Sequence, residues 1–132
     1  MQNFDIILLQ RVGNVFFGMA RDNARNLLGE FSEFKRNKYS KNTTDNFGFC
    51  QIAYNTQNEV EAIGFFRYNS DVKLFLDNIS LFDIEYKELV AYIGELDNEL
   101  QIDSDGFSSN KGIRAYAPEG KTESILLTAK DY

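Results

Sequence analysis

The string "QIDSDGF", Gln101 to Phe107, sets two carboxylates beside a glycine, a pattern in which a calcium loop or an acid–base pair would be sought. Laid on the D-x-D-x-D-G pattern, Gln101 takes the first ligand position and Gly112 the twelfth, so both the opening Asp and the closing bidentate Glu are missing. The string therefore reads as an exposed Asp-Gly turn. A carboxylate pair of the glycosidase kind has no further support in the sequence. The chain has no His, which removes the commonest general base, the usual catalytic dyads and most transition-metal sites. Its one Cys, Cys50, lies in the apolar run "FGFCQIAY" and reads as a small buried hydrophobe. The glycines are dispersed, with no phosphate-cradling G-x-G-x-x-G or G-x-x-x-x-G-K-[ST]. The expectation is a protein that is not an enzyme and that takes no cofactor and no metal.

Two further groups could contact a partner. "KRNKYSK", Lys35 to Lys41, carries four positive charges and reads as a solvated loop. Phe66, Tyr68, Phe107 and Tyr116 fall near strand ends or loops, among acidic residues, which is the mixture a protein-binding patch requires.

The elements that must position these residues are written twice. "FFGMARDNARNLLGEF", Phe16 to Phe31, is echoed by "LFDIEYKELVAYIGEL", Leu81 to Leu96, with apolar residues at helical spacing and a Gly near the end of each. The spacing predicts helices over about residues 20–28 and 84–93, each stopped by its glycine in a left-handed C-cap. "IAYNTQNEVEAIGFF", Ile52 to Phe66, is matched by "RAYAPEGKTESILLT", Arg114 to Thr128, and each reads as two strands around a polar turn. This alignment sets Ile52 against Arg114, so the two copies disagree on which side of the sheet is buried. "FDIILLQRV" and "VKLFLDNISLF" each supply one more strand. The fold class expected is α+β: an antiparallel β-sheet of six or more strands with helices on one face. It is laid out as two tandem helix-hairpin pseudo-repeats, about residues 13–68 and 78–129 of a single domain spanning 1–132.

Charge narrows the partner. Residues 1–66 hold seven basic and seven acidic side chains, whereas residues 67–132 hold seven and thirteen, so the net −6 arises wholly in the second half. Such a surface repels phosphate backbones and argues against nucleic acid. The apolar run "IILL" is four residues long and follows Asp5, so it reads neither as a secretory leader nor as a membrane span, and the expected location is the cytoplasm.

"FFGMARDNARNLLGEF" resembles the helix motif apolar-x-G-M-[TS]-x-x-x-[AV]-x-x-L-L-G of bacterial small domains, which is followed by an antiparallel hairpin. It is similar to the outer-membrane assembly lipoprotein E family and to the beta-lactamase inhibitor protein, whose fold is two tandem helix-sheet repeats. The match covers Phe16 to Gly29, with a weaker copy over Leu81 to Gly94. Ala20 stands where Thr or Ser would cap the helix, which forfeits about 1 kcal/mol. No lipidated Cys accompanies the motif, so the lipoprotein's role does not carry over. With "TTDNFGFCQIAYN", "LFDIEYKEL" and "DGFSSNKGIRAYAPEG", the chain resembles small cytoplasmic bacterial proteins encoded beside polymorphic or contact-dependent toxins. That resemblance implies an immunity protein, which binds and neutralises a cognate toxin. The acidic half implies a basic toxin such as a nuclease, and another regulatory or assembly module is the alternative. The candidate contact residues are Asp97, Glu99, Asp103 and Asp105, with Phe107, Tyr116, Phe66 and Tyr68 as apolar anchors. The oligomeric state is left open by the sequence.

Overall fold

The computed structural model describes residues 2–132. Among these the chain runs through β1 (Gln2–Ile7), β2 (Arg11–Val12), β3 (Val15–Phe16), α1 (Arg21–Leu28), β4 (Ser32–Phe34), β5 (Thr44–Asn46), β6 (Gln51–Tyr54) and β7 (Val60–Phe66). It continues through β8 (Val72–Leu76), β9 (Ile79–Ser80), α2 (Tyr86–Leu96), β10 (Gln101–Asp103), β11 (Gly106–Ser109), β12 (Ile113–Tyr116) and β13 (Ser124–Thr128). The architecture is α+β, with mostly antiparallel strands and two short helices. Each helix is followed by four strands, and the two runs join edge to edge in an eight-stranded antiparallel sheet ordered β10-β11-β12-β13-β7-β6-β5-β4.

A second sheet, ordered β3-β2-β1-β8-β9, was not foreseen. Its centre is the parallel pair β1–β8, with Gln2 opposite Val72 and Asp5 opposite Phe75. The two outlying segments read as single strands each fold into a hairpin instead. Between β8 and β9 the turn is Asp77-Asn78, both with positive φ (51° and 68°), the geometry a two-residue hairpin loop needs. Between β1 and β2 the chain turns at Leu8 to Gln10.

Alternation sends Ile52, Ile63, Phe65, Ile113, Ile125 and Leu127 to one face of the large sheet, where all are essentially buried. Ala24 of α1 and Leu89 and Ile93 of α2 join the same core, as do Ile6, Leu74 and Leu76 of the smaller sheet. Both helices thus cover the inner face. The disagreement between Ile52 and Arg114 resolves as a one-residue slip. Ile52 is buried while Arg114 is exposed, and Ile113 takes the inward place in β12. Because side chains alternate, that slip exchanges faces: Tyr54 is buried and Tyr116 is half exposed.

The helix ends depart from expectation once. Gly29 ends α1 at φ +94°, its N–H donating to the Arg25 carbonyl. Gly94 instead lies inside α2, which runs on to Leu96. The stop there is Asp97, whose carboxylate is tied to the following loop and draws the chain away from the helix axis. Ala20 makes no side-chain cap, as its type dictates. The start of α1 is held through the backbone instead, with Arg21 N–H donating to Asn58 O at 2.9 Å and Gly18 N–H to Val60 O at 2.8 Å.

A buried ion cluster fastens α1 to the sheet. Arg21 and Arg25, one turn apart on the helix, converge on Asp45 of β5, which has no exposed surface. Arg25 grips it bidentately, Nε to Oδ2 at 2.8 Å and Nη2 to Oδ1 at 2.9 Å. Arg21 Nη2 donates to Oδ1 at 2.9 Å and Tyr54 Oη to Oδ2 at 2.8 Å. Burial alone would raise the Asp45 carboxyl, but the hydrogen bonds from Arg25, Arg21 and Tyr54 outweigh it and hold the group below the ordinary carboxylate range.

Asp45→Asn leaves two guanidinium groups without a buried counter-charge and is expected to cost about 3 kcal/mol in urea unfolding. Because the folded pKa of Asp45 lies below the unfolded value of about 3.9, its contribution is complete above about pH 4 and is lost as pH falls through the folded pKa. The Asn variant is expected to lose that part of the acid limb.

Candidate functional site

Among the described residues both helices and the smaller sheet contribute to the core on one face of the large sheet, and the opposite face carries no layer of helix or sheet. Three rows of cross-strand neighbours cross it. The first runs Gln51–Gly64–Leu126–Arg114–Ser108. The second runs Phe66–Ser124–Tyr116–Gly106–Asp103. The third runs Thr44–Ala53–Ala62–Thr128. Gly64, Ala53, Ala62 and Ser124 stand around Leu126 in the middle of this surface, and with larger side chains at the margins they line a hollow of about 350 Å³. Arg36 and Thr44 line it from one edge of the sheet and Asp103 and Asp105 from the other, which requires the sheet to curl.

The acidic rim rests on local turn chemistry. Ser104 and Asp105 form the two-residue connection of the β10–β11 hairpin, and Asp105 N–H donates to Asp103 Oδ1 at 2.8 Å. Gly106 follows at φ +152°, where a Cβ would lie 1.9 Å from the Ala115 carbonyl oxygen. Only glycine lets this hairpin lie down against β12. Both carboxylates stay exposed.

Five of the eight residues singled out from the sequence gather at this end of the face. Asp103, Asp105, Phe66 and Tyr116 line the hollow, and Tyr68 stands beside Phe66 with ring centroids 5.4 Å apart. Tyr68 is 75% exposed and Tyr116 50%. Glu99 is exposed in the connection before β10, outside the hollow.

Two of the eight are corrected. Asp97 is buried and serves the fold: its carboxylate accepts from Ser109 Oγ at 2.7 Å and from the N–H groups of Glu99 at 2.9 Å and Asn110 at 3.1 Å. The Ser109 hydroxyl and these backbone donors hold it below the usual carboxylate range. Phe107 borders the hollow but is 4% exposed, with its ring in the core stacked on Tyr86 at 6.2 Å. It sits between the outward Gly106 and Ser108, so alternation turns it inward.

Arg36 and Arg114 were missed. Arg36 belongs to "KRNKYSK", read as wholly solvated, and alternation in "GIRAYA" was the signal that could have found Arg114. They make the hollow mixed in charge rather than acidic. Among the described residues no ion pair joins Lys35–Lys41 to Asp97–Asp105, although Arg36 and Asp105 share one hollow. Elsewhere, burial pushes the Cys50 thiol up to about 12, which leaves it unreactive at neutral pH. No group of three or more potential metal ligands occurs among the described residues, and none of their helices is long and apolar enough to cross a membrane.

Phe107→Ala is expected to lower unfolding stability by about 3–5 kcal/mol through cavity formation. Tyr116→Ala, on the open face, is expected to change it by no more than about 0.5 kcal/mol. Denaturant titration of the two variants checks the assignment of faces.

Comparison with protein-family models, with curated proteins and with solved structures finds no match to this chain, so its function is argued from this face itself.

Proposed function

We propose that this chain is a non-enzymatic immunity protein that binds and neutralises a cognate bacterial toxin in the cytoplasm, and that the open face of the eight-stranded sheet is the docking surface. The observation that carries this reading is the convergence of Phe66, Tyr116, Asp103 and Asp105 on one hollow, on the face away from the core. Aromatic side chains beside a recess supply the anchors that dominate protein–protein affinity. Exposed carboxylates on its rim steer a basic partner and raise the association rate more than the affinity. A nuclease, whose cleft attracts phosphate, is the target class that suits such a rim.

The reading is tested by growth. Cells expressing the toxin encoded beside this chain are expected to survive when the chain is co-expressed, and to lose protection when Phe66→Ala and Tyr116→Ala are combined. With purified toxin, Asp103→Asn together with Asp105→Asn is expected to slow association about tenfold at low salt and to flatten its salt dependence. Protection and kinetics equal to the parent's in both variants would remove this face from the interface.

A further inference from the structure

The last residues of the chain lie back across the open face. The ladder to β7 ends with Ala129 N–H donating to Glu61 O at 2.8 Å. Beyond it, among the described residues, the one backbone bond is long, Tyr132 N–H to Ala129 O at 3.3 Å, and Lys130 and Asp131 are exposed. Side chains hold what remains. Arg36 Nη1 donates to Tyr132 Oη at 3.4 Å, and the Arg114 guanidinium lies 5.2 Å from the centroid of the Tyr132 ring. The two arginines come from opposite halves of the chain, and among the described residues neither has a carboxylate within ion-pair distance.

Part of this face is buried although, among the described residues, no helix or sheet lies on it. Thr44, Ala62 and Thr128, three of the four residues in the small-residue row, are 4%, 0% and 4% exposed. Tyr132 and Arg36 line a second hollow, of about 740 Å³, that shares Arg36, Thr44 and Ala53 with the first. Tyr132 therefore stands at the boundary between the two.

We propose that Arg36 and Arg114 form a slot for an aromatic ring on the open face, filled within the chain by Tyr132 and opened to an aromatic side chain of a protein partner when the tail swings aside. Two unneutralised guanidinium groups supply a hydrogen bond to a ring substituent and a cation for the ring face, while Ala and Thr beneath allow close approach. A segment held by one long backbone bond and two side-chain contacts is easily displaced. The slot exists whether or not the partner is a toxin.

The test needs no partner. The dye 1-anilinonaphthalene-8-sulfonate offers an aromatic ring and an anion together. Tyr132→Ala is expected to enhance its fluorescence several-fold over the parent chain, and adding Arg36→Ala with Arg114→Ala is expected to abolish the gain. Equal dye signal in the parent and Tyr132→Ala, or a gain that survives loss of both arginines, overturns the slot. Tyr132→Trp adds an independent measure, since the chain has no other Trp. Its emission is expected to resist acrylamide several-fold better than in the background lacking both arginines. Equal quenching in the two would show a tail that is not seated and would overturn the proposal.

Discussion

Everything on the large sheet hangs from one pairing, the antiparallel register of β7 with β13. It sets Ser124 opposite Phe66, Leu126 opposite Gly64 and Thr128 opposite Ala62, and among the described residues it joins the run β4–β7 to the run β10–β13. Side chains alternate with a period of two, so a slip of one residue here would carry Ile125 and Leu127 out of the core and bring Ser124 and Leu126 in. The apolar cost of that exchange fixes the register. With it fixed, the side chains of β7 and β13 that face the core and those that face the open side are assigned.

Buried charge in this fold works for architecture rather than chemistry. Asp45 and Asp97 are both removed from water, and each is fully provided with donors: two arginines and a phenol for the first, a hydroxyl and two backbone N–H groups for the second. One fastens α1 to β5 and the other ends α2 and anchors the turn after β11. An ionised carboxylate so satisfied is costly to disturb and has little capacity left for another ligand. By contrast Asp103 and Asp105, at the tip of the β10–β11 hairpin, stay exposed where Gly106 allows the backbone to approach β12.

The open face consequently combines three kinds of group. Small residues from the central strands make a recess, aromatic residues at one end give it apolar walls, and charges of both signs stand at its margins. A purely acidic rim would attract any basic surface. Setting Arg36 and Arg114 against Asp103 and Asp105 would, on the proposed reading, add a penalty for a partner whose charges are placed wrongly.

What the sequence determined by itself was local. Helical spacing in "ARDNARNLLG" and "EYKELVAYIGEL" and the polar turns within "IAYNTQNEVEAIGFF" and "RAYAPEGKTESILLT" were enough to locate both helices, the two hairpins and the α+β class. Those signals arise from contacts within a few residues. The tertiary structure decided what depends on remote neighbours: the parallel β1–β8 pair, the inward turn of Phe107, the burial of Asp97 beneath Ser109, and the meeting of Arg36, Arg114 and Tyr132. An Asp that caps a helix and an Asp that faces a partner are the same letter in the sequence. Which one it becomes is settled by whether a donor from elsewhere in the chain reaches it before water does.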